Sequence, residues 1–146
     1  MAAPMDGAAP APPLSVHHIA VVVRDLERAE GFYRGVLGLP VIRRWDDAAG
    51  APRSVWLGLG GGAFLAVERA GSDAPDPPRG ALPVPGWHCV ALAIAPGGRE
   101  SWRARLASAG VAVERESAFT LYVRDPEGNL VGLSHWPAAA DPAGPA

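Results

Sequence analysis

A chain of 146 residues with 49% hydrophobic side chains is long and apolar enough for a real core, so wholesale disorder is excluded and one ordinary domain or two very small ones are expected. A net charge of −2 makes no electrostatic case for nucleic acid or anionic lipid, and all 13 basic residues are Arg, a bias read as provenance rather than chemistry. A single cysteine, Cys89, rules out an intrachain disulfide; it sits in an apolar run, where a buried inert thiol is expected, and is consistent with a reducing cytoplasm.

The N-terminal stretch is rich in Ala and Pro. It lacks a basic start and a continuous apolar run, so no signal peptide is expected there, and no segment of the chain reads as a membrane span. Residues 1–15 and 137–146 are expected to be mobile tails around a single domain, 16–136. Within it, 16–70 is read as a first module, the Pro- and Asp-rich stretch 71–85 as a linker, and 86–136 as a second module.

The first module opens with Val16–Val23, apolar at nearly every position and therefore expected to be a strand buried on both faces. Asp25 is placed to cap a helix, with Arg28 where a Glu would complete a capping box. Leu26, Ala29, Phe32, Tyr33, Val36 and Leu37 then follow at helical spacing. Gly38 and Pro40 stop the helix, and three short strands are expected at Val41–Trp45, Ser54–Leu59 and Ala63–Glu68. The Gly60-Gly61-Gly62 run joins two strands and does not lead into a helix, so it is no phosphate loop.

The second module repeats this order. A strand is expected at His88–Ile94, then a helix carrying Trp102, Leu106 and Ala109 and stopped by Gly110. Strands follow at Val111–Arg115, Ala118–Arg124 and Asn129–His135, the last two joined by a tight Asp125-Pro126-Glu127-Gly128 turn. His18–Val22 lies over His88–Leu92 at an offset of 70, and Gly62–Glu68 over Gly128–Ser134 at an offset of 66. The expectation is an α+β fold made of two tandem βαβββ modules, paired because a curved sheet leaves a concave face to be covered or filled.

The opening from His18 to Leu26, then Phe32-Tyr33 and Val36–Leu39, together with the closing Asp125–Asn129 turn, resembles the vicinal-oxygen-chelate superfamily of glyoxalase, bleomycin-resistance and extradiol-dioxygenase types. The resemblance covers Val16 to Trp136. It implies two curved sheets forming an open, barrel-like cleft, in which metal-using members hold an ion with His and Glu side chains from the first and last strands of each module. Carried over, His18 and His88 match the two first-strand ligand positions and are expected to project into a shared pocket, on faces shared with Ala20 and Val22, and with Val90 and Leu92. His17 is expected to face away. The carboxylate positions fall on Ala66 and Gly132, neither of which can bind a metal through its side chain. Glu68, two residues beyond Ala66, is the substitute, reaching back or brought into place by a bulge. It serves either as third ligand or as general base, not both. His135 is expected on the wrong face.

A set of His18, His88 and Glu68 with one open position suits a divalent ion (Zn, Mn, Fe, Ni or Co), giving a lyase, isomerase or dioxygenase. Loss of both carboxylate positions motivates the alternative, a metal-free protein that sequesters an apolar or aromatic small molecule, as drug-binding members of the superfamily do. Trp56 and Trp87 are the expected aromatic walls of either cleft, with Tyr122 offering a hydroxyl. A third reading is a homodimer whose cleft is vestigial; a homodimer is expected in any case, to cover open sheet edges.

Overall fold

The computed structural model describes residues 10–76 and 85–138; most of the expected tails and the centre of the expected linker lie outside them. The first strand, β1, runs His18–Val23. Asp25 caps α1 (Leu26–Glu30), its carboxylate accepting from the Arg28 backbone N–H at 2.9 Å. The helix then widens into a π-helical segment, Gly31–Val36, with the Leu37 N–H reaching back to the Phe32 carbonyl at 3.0 Å. Next come β2 (Val41–Asp46), β3 (Pro52–Gly60) and β4 (Ala63–Arg69). The second module is β5 (Val90–Ala93), α2 (Arg99–Ser108), β6 (Arg115–Glu116), β7 (Thr120–Arg124) and β8 (Leu130–Ser134).

Each module makes one four-stranded sheet of the same topology, β1-β4-β3-β2 and β5-β8-β7-β6. In each, the first strand is parallel to the last and the other pairs are antiparallel. This is the expected α+β fold with βαβββ twice. The shared helix stop is visible in the backbone: Gly38 and Gly110 have φ of 76° and 71°, the left-handed conformation a Cβ disfavours.

The core lies on the helix side of both sheets. Val23, Val55, Leu57, Leu65 and Val67 face α1 and the π-segment, and Leu121, Val123, Val131 and Leu133 join the same cluster with Leu106 of α2. The opposite, concave side is more open. β1 alternates between exposed and half-buried residues up to Val23, so the expectation of a strand buried on both faces is corrected. Its apolar character reflects one packed face and one cleft face, which hydropathy alone does not separate. Likewise β6 is a two-residue strand, not the expected Val111–Arg115. Val111 and Val113 pack onto the core ahead of it.

Polar contacts join the modules. The buried Tyr33 hydroxyl donates to Asp125 Oδ2 at 2.8 Å, and Glu127 Oε1 accepts from the Arg24 and Asp25 backbone N–H groups at 2.6 and 2.8 Å. Among the described residues, no helix is long and apolar enough to cross a membrane.

On the outer face, Arg44 forks onto Glu30 and holds its carboxyl below the ordinary value of 4.5, chiefly through that hydrogen bonding. A lowered carboxylate stabilises the fold above its ordinary pKa and ceases to do so as pH falls through the lowered value. Arg44 is half exposed, so solvent screening limits the effect. Glu30→Gln is therefore expected to cost less than about 1 kcal/mol near neutrality. The difference should vanish in urea melts repeated at a pH low enough to protonate the wild-type carboxylate as well.

Candidate functional site

Strand pairing defines the concave surface. In module one, a row crosses the sheet from Ala20 through Ala66 and Trp56 to Arg43. In module two, the equivalent row runs Ala91, Gly132, Tyr122, Arg115. Each row is two small residues, an aromatic and an arginine. Neighbouring residues on this face extend the first row into an aromatic wall. Trp56 stacks on Phe64 with ring centroids 4.4 Å apart, Phe64 stacks on His18 at 4.9 Å, and Trp45 meets Trp56 edge-on at 5.4 Å. The Arg43 guanidinium lies over Trp45, 4.0 Å from the ring centre. The indole N–H groups of Trp45 and Trp56 are buried with no hydrogen-bond partner among the described residues, a cost of about 1–3 kcal/mol each.

The rows also correct the register assumed between modules. Ala91 stands where Ala20 does, an offset of 71 rather than 70, so the counterpart of His18 is Cys89 and that of His88 is His17. Val90 and Leu92 pack with the core on the helix side and do not line the cleft. The offset of 66 for the last strands holds, with Ala66 and Gly132 in equivalent places. One residue of slip in a strand inverts its faces, so an error of one in the offset exchanges cleft and core.

The expected metal ligands are placed as follows. His18 is opposite Phe64 and rests on its ring. Glu68 is opposite Val22, four residues further along, roughly 13 Å at the rise of a strand, and accepts from Ser54 Oγ at 2.9 Å. The β1–β4 register runs without a break, so no bulge carries Glu68 back toward His18; the irregularities fall in β2–β3 and at Gly58/Gly60. His88 precedes β5, and its Nε2 lies 3.0 Å from the Arg115 guanidinium, a cation that opposes a second cation at that nitrogen. Among the described residues no three His, Cys, Asp or Glu side chains are grouped to hold a metal. These residues do not fit the divalent ion the resemblance implies.

The other expectations divide. Trp56 and Tyr122 both stand on the concave rows, half-buried. Trp87 is fully exposed ahead of β5. His17 turns toward the cleft side, its Nδ1 2.9 Å from that of His18. His135 is buried away from the cleft, its Nδ1–H donating to the Ala138 carbonyl at 2.6 Å. Cys89 is half-buried rather than buried. Sequence reading missed Phe64, Arg43 and Arg115. Phe64 carries the usable signal, since it lies two residues before Ala66 and so shares its face.

The chain matches the family described as the Glyoxalase/Bleomycin resistance protein/Dioxygenase superfamily over residues 15–133. No curated protein matches it. Among solved structures, it is similar to a lactoylglutathione lyase from Agrobacterium tumefaciens, at 25% identity over 86% of this chain and 96% of that one, with a TM-score of 0.62. It is also similar to a glyoxalase/dioxygenase from Nostoc punctiforme, at 19% identity over 87% and 95%, with a TM-score of 0.71. The fosfomycin resistance protein FosX from Listeria monocytogenes, solved with Mn(II) and a dihydroxypropylphosphonic acid, matches at 18% identity over 82% and 90%, with a TM-score of 0.63. The last two likenesses speak for the fold alone.

Proposed function

The chain belongs to the glyoxalase/bleomycin resistance/dioxygenase superfamily, and from that premise we propose that its concave face binds a planar aromatic small molecule without using a metal, as a sequestering protein does. The observation that carries this is the content of the first row and its neighbours. Where a metal-using member of the superfamily would place ligands, this chain has Ala66 and Gly132, and an aromatic wall of Trp45, Trp56, Phe64 and His18 occupies the face instead. The aromatic faces of this wall offer stacking, so affinity comes from burial rather than coordination.

The competing reading is a divalent-metal-dependent lyase, isomerase or dioxygenase, favoured by the likeness to the Agrobacterium lactoylglutathione lyase. Metal content of protein purified without a His tag, read after exposure to Zn, Mn, Fe, Ni and Co in turn, separates the two. The binder reading expects no stoichiometric ion. An ion that is stoichiometric in the wild type and lost in both His18→Ala and His88→Ala overturns it. Tryptophan fluorescence titrated with planar aromatics tests the wall directly. Trp56→Ala is expected to weaken binding by about tenfold, the effect of losing one stacking partner of about 1.4 kcal/mol.

A homodimer belongs to the same proposal. Among the described residues, no further strand pairs with the β2 and β6 edges, and Val22 and Trp136 are well exposed. Sedimentation velocity is expected to give twice the chain mass.

A further inference from the structure

Beside the aromatic row of module one runs a second row holding a carboxylate that the repeated module does without. It crosses the sheet as Val22, Glu68, Ser54, Trp45, on the same face as Ala66 and Trp56. Ser54 is 1% exposed, and its hydroxyl donates to Glu68 Oε1 at 2.9 Å. Module two supplies the comparison. At the offset of 66 the equivalents are Thr120 and Ser134, paired across the corresponding two strands, and there the Thr120 hydroxyl donates to Ser134 Oγ at 2.9 Å. Two hydroxyls therefore satisfy this position of the sheet, and the carboxylate in module one adds a charge for which the ladder has no use. Burying part of a carboxylate is costly unless it is paired. Glu68 is half-buried, and among the described residues no Arg or His makes an ion pair with it. Arg69, next in sequence, points to the other side of the strand and is tied to Asp47 at 2.7 Å. Arg43 shares the face with Glu68 but lies over Trp45.

Resting on the aromatic-cleft reading, we propose that the ligand is an aromatic molecule bearing a protonated amine, its ammonium on the Glu68 carboxylate and its apolar body between Val22 and Trp56. Val22, opposite Glu68 on β1, is 62% exposed, so apolar surface borders the carboxylate on its open side. Trp56, half-buried, stands diagonally across the β3–β4 ladder from Glu68, a separation that aromatic and long side chains span. Indole faces attract cations, as Arg43 over Trp45 shows on this wall. A bare metal ion is a poorer occupant. One carboxylate supplies too few ligands, and among the described residues no three His, Cys, Asp or Glu side chains are grouped to add more.

The experiment uses matched probes on the full-length protein near neutral pH: benzylamine with benzyl alcohol, and 2-naphthylmethylamine with 2-naphthylmethanol, titrated by tryptophan fluorescence and calorimetry. Each amine is expected to bind at least about tenfold tighter than its alcohol, a charge-assisted pair replacing a neutral one. Glu68→Gln and Glu68→Ser should both remove that preference while leaving alcohol affinity within about twofold. Glu68→Ser reproduces the hydroxyl pair of module two, so its melting temperature is expected to match the wild type. Arg43→Gln takes a like charge off the same face and should not weaken the amines. Equal binding of amine and alcohol by the wild type, or an amine preference that survives Glu68→Gln, overturns the cation assignment while the aromatic cleft stands. A melting temperature lowered in both Glu68 variants would show the carboxylate to be structural and overturns it too. Failure of all four probes to bind overturns the cation assignment and the aromatic cleft together.

Discussion

Asp125→Ala is expected to destabilise the protein by about 3–5 kcal/mol, because it strips the acceptor from a buried junction between the modules. Asp125 is 3% exposed. Its Oδ2 accepts from the Tyr33 hydroxyl at 2.8 Å and from Asn129 Nδ2 at 2.9 Å, and its Oδ1 accepts from the Glu127 and Asn129 backbone N–H groups at 2.9 and 2.8 Å. Alanine leaves all four donors unpaired, and the shape of the turn that presents Glu127 to the Arg24 and Asp25 amides goes with it. Tyr33→Phe removes only one donor, and about 1–2 kcal/mol is expected. Urea denaturation followed by tryptophan fluorescence and circular dichroism measures both; a loss under about 1 kcal/mol for Asp125→Ala would show the junction to be dispensable. Burial, with the Asp125 carboxylate adding to it, also raises the Tyr33 phenol above its ordinary value. A raised phenol favours the folded state fully below its ordinary pKa, and that contribution is lost as the unfolded chain ionises above about pH 10. The alkaline loss of stability should accordingly be shallower in Tyr33→Phe.

This junction also explains why the fold was legible. The residues that make it, Tyr33 in the first helical segment and the Asp125–Asn129 turn, are the ones that suggested the family, and they act together although 92 residues separate Tyr33 from Asp125. Turn chemistry and helix caps are local, so Asp25, Gly38, Gly110 and the closing turn could be read from neighbours in sequence. The short strand β6 could not, since Val111 and Val113 alternate as a strand does yet pack onto the core before any ladder begins.

The cleft was less legible, for a geometric reason. Which side of β5 faces the cleft depends on its register with β8, and no local signal in His88–Ile94 distinguishes an offset of 70 from 71. The repeated His drew the shorter offset. Ala91 opposite Gly132 sets the longer one, and this moves His88 out of step with His18. Charge was similarly hidden: thirteen arginines look interchangeable in the sequence, and only pairing in space shows which are tied to acids, as Arg103 is to Glu116 and Arg124 to Glu114.

Gly132 tests whether the absent carboxylate is a simple deletion from an otherwise intact metal site. A Cβ built there would stand 3.0 Å from the Thr120 methyl and 3.4 Å from the Ala91 Cβ, so the neighbours have closed over the position. Thr120 is itself fixed by donating to Ser134 Oγ at 2.9 Å, which limits its ability to give way. Gly132→Ala is expected to cost about 1–3 kcal/mol from overpacking alone. Gly132→Glu adds a carboxylate at a buried backbone position with no cation provided for it, and a total loss of about 4 kcal/mol or more is expected. If the site were only missing its ligand, Gly132→Glu would instead fold and gain a stoichiometric divalent ion, visible as a metal-dependent rise in melting temperature. Melts with and without Zn and Mn decide between these outcomes. The packing of Thr120 and Ala91 favours loss of stability with no rescue by either metal, because the space a ligand would need has been given to a methyl group and a neighbouring strand.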